Sequence, residues 1–92
     1  MTKRELAEAI AAAHPDLNQT TAAAVVETVI ETVTSKVAAG EDVSLAGFGT
    51  FERRERSART GRNPQTGESI DIAASQAPAF KPAAAFKRAV AG

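Results

Sequence analysis

Ninety-two residues make a chain near the lower end of the usual domain range of about 50 to 250, which argues against a two-domain enzyme with a cleft between its halves. There is no cysteine and a single histidine, His14, so disulfides, thiolate-held metals, iron–sulfur clusters and thiol catalysis are excluded and metal or triad chemistry has little to use. The 43% hydrophobic fraction rests mainly on 21 alanines, with four Phe and no Trp or Tyr; a core that thin, in a chain burying only about 60 to 65% of its unfolded surface, implies an oligomer.

The formal net charge is zero, 11 bases against 11 acids, but the charges are not evenly spread. Residues 1–46 hold three bases and seven acids, and residues 47–92 hold eight bases and four acids. Between Arg53 and Arg62 there are five arginines and one acid, Glu55. Such asymmetry points to a polyanionic partner. Glu5 and Glu8 interrupt any apolar stretch of a secretion signal, and no apolar run approaches the 18 or so residues of a membrane span. The chain therefore reads as cytoplasmic, with no membrane partner. Asn18-Gln19-Thr20 fits a glycosylation sequon, a pattern that matters only in a secreted protein, and Asn18 is better used as a helix cap.

In chain order, Thr2 with Glu5 forms a capping box, and Leu6, Ala9, Ile10 and Ala13 recur at helical spacing until Pro15, predicting a first helix over about 3–14. After Asn18, a stripe of Ala22, Val25, Val26, Val29, Ile30, Val33 and Val37 predicts a second helix over about 19–39, stopped by Gly40. The stripe is longer than the first helix can cover, so it is expected to meet a second copy of itself. Val43 and Leu45 then alternate with small polar neighbours, and Gly47-Phe48-Gly49-Thr50-Phe51 predicts a tight turn into a second strand. The two glycines fail the dinucleotide-binding fingerprint, since no third glycine and no helix follow, and are read as turn glycines.

From Glu52 to Ser75 the pattern stays strand-like with little to bury, broken by the turn cluster Arg59–Glu68, and Ile70 and Ile72 alternate on the return limb. This predicts a long two-stranded ribbon whose limbs of roughly ten residues, at about 3.3 Å per residue, span on the order of 30 Å, longer than so small a domain can cover. Ala77-Pro78-Ala79-Phe80 is expected to end the sheet, and Pro82 to sit in the first turn of a short third helix over about 83–90, with Phe86 and Val90 on one face.

Catalysis finds no support: His14 lies at a helix end, where a cation suits the helix dipole, and the acids form no paired-carboxylate constellation. Nucleic-acid binding fits better. Arg53, Arg54, Arg56, Arg59 and Arg62 lie on one limb of the ribbon, and arginine both forks onto phosphates and enters narrow minor grooves. Arg54 and Arg56 share a face, whereas strand parity puts Arg59 on the other, so a bulge or strong twist near Ser57-Ala58 is needed to bring them to one surface. Pro64 at the tip is either an apolar wedge of the kind that enters between base steps or an ordinary turn proline; its position alone does not decide.

Gly47-Phe48-Gly49-Thr50-Phe51, Arg56, Arg59, the tip Gly61-Arg62-Asn63-Pro64-Gln65-Thr66-Gly67-Glu68, Ile70, Ile72 and Ala77-Pro78-Ala79-Phe80-Lys81 together closely resemble the bacterial histone-like HU and integration host factor family, from end to end. The resemblance implies an α+β fold: an intertwined dimer with a helical body of two N-terminal helices, a three-stranded antiparallel sheet extended into a long β-ribbon arm, and a short C-terminal helix. The arms of that family wrap DNA in the minor groove and bend it. Carried onto this chain, Pro64 would intercalate, Arg54, Arg56, Arg59 and Arg62 would line the groove, Asn63 and Gln65 would flank the tip, and Lys81, Lys87 and Lys3 would meet phosphates. Residues 1–92 would be a single domain: a helical dimerisation part over 1–40, a sheet over 41–81 with the arm over about 53–75, and a C-terminal helix over 82–92.

Two departures reduce positive charge: Ala83-Ala84 stands where relatives usually have Gly-Lys, and Asp71 lies between Ile70 and Ile72. They suggest weaker, more salt-sensitive binding than in a basic relative, with a preference for bent, nicked or gapped duplexes whose deformation costs less. The expectation is a non-enzymatic, homodimeric, DNA-bending protein of the nucleoid, with little sequence specificity and no cofactor. Alternatives are a sequence-preferring, usually heterodimeric factor like integration host factor, or a dimeric protein scaffold with weak DNA affinity. RNA is left open as a partner because phosphate binding alone does not select DNA.

Overall fold

Thr2 opens the first helix as expected. Its hydroxyl oxygen accepts from the Glu5 amide at 3.3 Å, and the hydroxyl donates to the Glu5 carboxylate, also at 3.3 Å. In the computed structural model, which describes residues 1–92, the elements are α1 (Lys3–Ala13), α2 (Gln19–Ala38), β1 (Val43–Leu45), β2 (Gly49–Arg56), β3 (Arg59–Arg62), β4 (Ser69–Ile72), β5 (Ser75–Pro82) and α3 (Ala84–Ala91). The fold is α+β with antiparallel strands. Residues 1–36 and 37–92 form two compact units, the boundary falling inside α2.

In the first unit, His14 closes α1 through its amide to the Ile10 carbonyl at 2.9 Å. Asn18 caps α2, its Oδ1 accepting from the Thr21 amide at 2.8 Å. Ala7, Ala22 and Val26 form the buried cluster, with Ile10 and Ala11 packed against it. Two alanines at full burial let the helices approach closely, but they remove little apolar area from water. The stripe predicted for α2 divides: Ala22 and Val26 turn inward, while Val25, Val29 and Ile30 stay on the surface, Val29 at 53% exposure.

In the second unit, β1, β2 and β5 make one antiparallel sheet in the order β1-β2-β5. Val43, Phe51 and Phe80 share one face by register. All four phenylalanines gather: Phe51 lies 4.7 Å from Phe80, Phe48 lies 5.3 Å from Phe80, and Phe86 stacks on Phe48 at 5.0 Å between centroids. The two turn glycines have different roles. Gly47 takes φ +79° and makes the turn, whereas Gly49 is already in β2, where a β-carbon would sit 2.5 Å from the Phe80 ring and 2.6 Å from the Lys81 carbonyl oxygen.

The strand β5 runs through Pro78 and on to Pro82, past the point where the sequence suggested the sheet would end. It is an edge strand, and Pro78 and Pro82 have the same parity, so both nitrogens face away from β2 and no ladder bond is lost. Ala83, of the other parity, donates its amide to the Phe48 carbonyl at 2.8 Å. Pro82 is thus the last strand residue rather than part of α3, which begins at Ala84. Phe86 joins the ring cluster, but Val90, one turn further, remains exposed.

The ribbon is interrupted. Pairing stops after Arg56↔Ser75 and resumes as a separate two-stranded sheet at Arg59↔Ile72, running to Arg62↔Ser69. Where a bulge or strong twist was expected near Ser57-Ala58, two unpaired residues face two at Ala73-Ala74 on the return limb, so the gap interrupts pairing but leaves the register unchanged from sheet to tip.

Candidate nucleic-acid interface

Residues 50, 52, 54 and 56 of β2 point away from the ring cluster, and the register sets Thr50 opposite Lys81, Glu52 opposite Ala79, Arg54 opposite Ala77 and Arg56 opposite Ser75. This face gathers three of the expected cations. Glu52 lies among them: its Oε1 is 3.0 Å from Arg54 Nη2 and 3.5 Å from Lys81 Nζ. The hydrogen bond from Arg54, helped by the Lys81 charge, holds the Glu52 carboxyl below the usual carboxylate range.

Arg53 has the opposite parity and a partner within its own unit. Its Nη1 donates to the Ala38 carbonyl at 3.1 Å, one of the open carbonyls at the end of α2. A β-carbon on Gly40, which has φ +88°, would stand 2.9 Å from the same guanidinium. Arg53 is thereby tied to the body of its unit while its four neighbours are not.

Arg56 stands where pairing stops, on an open cavity of about 570 Å³ lined by Glu55, Ser57, Ala58, Ala74, Ser75 and Gln76. Beyond it, Arg59 shares a ribbon face with Gly61, Ile70 and Ile72, while Arg62 shares the other with Thr60, Ser69 and Asp71. The break therefore does not bring the two arginines to one face. Arg56, Arg59 and Arg62 make no ion pair within the chain.

The tip is a closed turn. The Asn63 and Glu68 backbones join through the Asn63 amide at 2.8 Å, the Gly67 amide donates to the Asn63 carbonyl at 2.7 Å, and Gly67 takes φ +73°. Asn63 Oδ1 accepts from the Gln65 amide at 2.9 Å, an Asx-turn that leaves Pro64 exposed at the apex. Asn63 thus shapes the tip instead of simply flanking it. Thr66 Oγ1 accepts from the Glu68 amide at 3.3 Å, a contribution that sequence reasoning passed over. Of the remaining candidates, Lys87 lies on α3 without an ion pair, and Lys3 belongs to the helical unit, bonded to Glu27 at 2.7 Å. That carboxylate raises the Lys3 ammonium above the ordinary lysine range and neutralises it locally.

An extended basic limb closed by an apolar tip suits an anionic polymer better than a small molecule. A scan of family models matches residues 1–91 to the bacterial DNA-binding protein family. The chain is 52% identical to DNA-binding protein HU 1 of Bacillus subtilis over 92 residues, covering 100% of this chain and 99% of that one. The chain belongs to the HU family of bacterial DNA-binding proteins. It is also 52% identical to the HU-beta protein of Pseudomonas aeruginosa over 90 residues, covering 98% of this chain and 99% of the relative. Among solved structures it resembles HU in an Anabaena HU–DNA cocrystal, with a TM-score of 0.86 and 43% identity, covering 99% of this chain and 98% of that one. Within this HU-family chain, Glu52 and Arg88 are charged residues of the arm-bearing unit that sequence reasoning left out; the parity of Glu52 with Arg54 could have signalled the first. No helix is long and apolar enough to cross a membrane.

Proposed function

We propose that the chain is a histone-like architectural protein of the nucleoid that binds duplex DNA through the minor groove, with little sequence preference, and bends it. The observation that carries this reading is the row of unpaired arginines, Arg56, Arg59 and Arg62, leading to a closed tip with Pro64 exposed at its apex. Arginines entering a narrow groove neutralise phosphates on both walls, and an apolar ring pressed between base steps kinks the duplex for a few kcal/mol of unstacking. Lys81, Lys87 and Arg54 extend the phosphate track toward the body.

The working unit is a homodimer. Val25, Val29 and Ile30 on α2, and Leu45 and Phe48 in the second unit, are large apolar side chains left on the surface of one copy. A partner copy covering them supplies the core that an alanine-rich chain lacks. In this arrangement residues 1–40 carry dimerisation, about 53–75 form the arm, and the role is binding, not catalysis.

Fluorescence anisotropy with linear and nicked duplexes of equal length tests the reading. Tighter binding to the nicked duplex is expected, because the nick lowers the cost of bending. Equal affinity would oppose bending, and enrichment of a motif from a random DNA pool would replace weak specificity with sequence-preferring recognition.

A further inference from the structure

Glu52 is the only acid on the outward face of β2 and β5, which otherwise carries Thr50, Arg54, Arg56, Ser75, Ala77, Ala79 and Lys81. One carboxylate oxygen, Oε1, receives both Arg54 and Lys81, at 3.0 and 3.5 Å. The side chain of Glu52 is only 19% exposed, whereas those of Arg54 and Lys81 remain 58% and 64% exposed. The anion thus lies low on the sheet with two solvated cations reaching over it. The residues opposite Glu52 and Arg54 are Ala79 and Ala77, too small to hold either cation in place.

We propose that Glu52 is an internal competitor of the nucleic-acid phosphate: in the free protein it occupies Arg54 and Lys81, and engagement of DNA at the root of the arm exchanges this carboxylate for backbone phosphates. The inference rests on the arm reading above. Because the cations are the exposed partners, the exchange needs only their side chains to rotate, with no movement of the strands. The carboxylate left behind stands beside the incoming phosphates and repels them, so Glu52 limits affinity at this part of the track. Two cations on one low-lying anion also leave the Glu52–Arg54–Lys81 cluster with a net charge of only +1, so the root of the arm attracts phosphate less than its base count suggests.

The test is Glu52→Gln, which keeps the shape and an oxygen acceptor for Arg54 but removes the charge. Anisotropy with a nicked duplex across a salt series should show several-fold tighter binding at low salt. Its slope of log affinity against log salt should steepen by up to about 0.9, because no freed carboxylate is left in the complex to retain a cation and offset one released from the DNA. A merely structural Glu52 would not steepen that slope. Glu52→Thr, which suits a strand, should shift binding in the same direction and guards against an effect peculiar to glutamine. Affinity and slope unchanged or lowered in both variants, with the circular dichroism of the parent, would overturn the proposal. Arg59→Ala combined with Arg62→Ala separates the two ideas: if it leaves parent binding intact, the arm reading falls. If it weakens binding while Glu52→Gln changes nothing, only the competitor falls.

Discussion

Arg53 and Arg56 are separated by three positions and by the jobs their surroundings assign them. Arg53 Nη1 is bonded to the Ala38 carbonyl at 3.1 Å, where a cation also opposes the negative end of the α2 dipole. Arg56 ends the paired sheet with no ion pair. Replacing each with glutamine should therefore have opposite consequences. Arg53→Gln is expected to lower stability by up to about 1 kcal/mol, the net worth of one partly solvated hydrogen bond, and to leave the salt slope of DNA binding unchanged. Arg56→Gln should leave the urea midpoint unchanged and make the slope shallower by about 0.9. A loss of slope in Arg53→Gln equal to that in Arg56→Gln would show that Arg53 leaves Ala38 to bind phosphate.

At the scale of elements, the arm divides into a root, where β2 pairs with β5, and a distal ribbon of β3 and β4 that belongs to a different sheet. A lone pair of four-residue strands is marginal in water. Amide exchange in residues 59–62 and 69–72 should therefore be much faster than in β2 and β5, and should slow when DNA is added. Equal protection in free protein would contradict an independently opening ribbon. Some of this was readable from residue order: Thr2 and Asn18 as caps, helical spacing through α2, and the period of two that pairs Arg54 with Arg56; the bulge expected at Ser57-Ala58 is instead a break in pairing that leaves the register unchanged. What was not readable depends on neighbours distant in the chain. The matching break at Ala73-Ala74 and the meeting of Glu52 with Lys81 require the β2–β5 register. Pro82 looked like a helix start because proline suits that position, but an edge strand tolerates it equally. The α2 stripe was already too long for α1 to cover, but which of its residues α1 buries, Ala22 and Val26, depends on how the two helices pack.

For the whole molecule, the net charge of zero conceals residues 1–46 with an excess of four acids and residues 47–92 with an excess of four bases. The acidic part carries the apolar surface of α2, and the basic part carries the arm. The buried core of the helical unit is Ala7, Ala22 and Val26, so in the proposed dimer association would supply much of the stability. The melting temperature should then rise by several degrees over a hundred-fold increase in protein concentration; a concentration-independent melt would contradict folding coupled to dimerisation. The central claim is that an exposed proline on an arginine arm bends DNA. Its most direct test is resonance energy transfer between dyes at the two ends of a nicked duplex, with saturating parent or Pro64→Ala protein. The parent should bring the ends markedly closer and Pro64→Ala should do so much less while still binding. An end-to-end distance that the bound parent leaves unchanged would contradict the account.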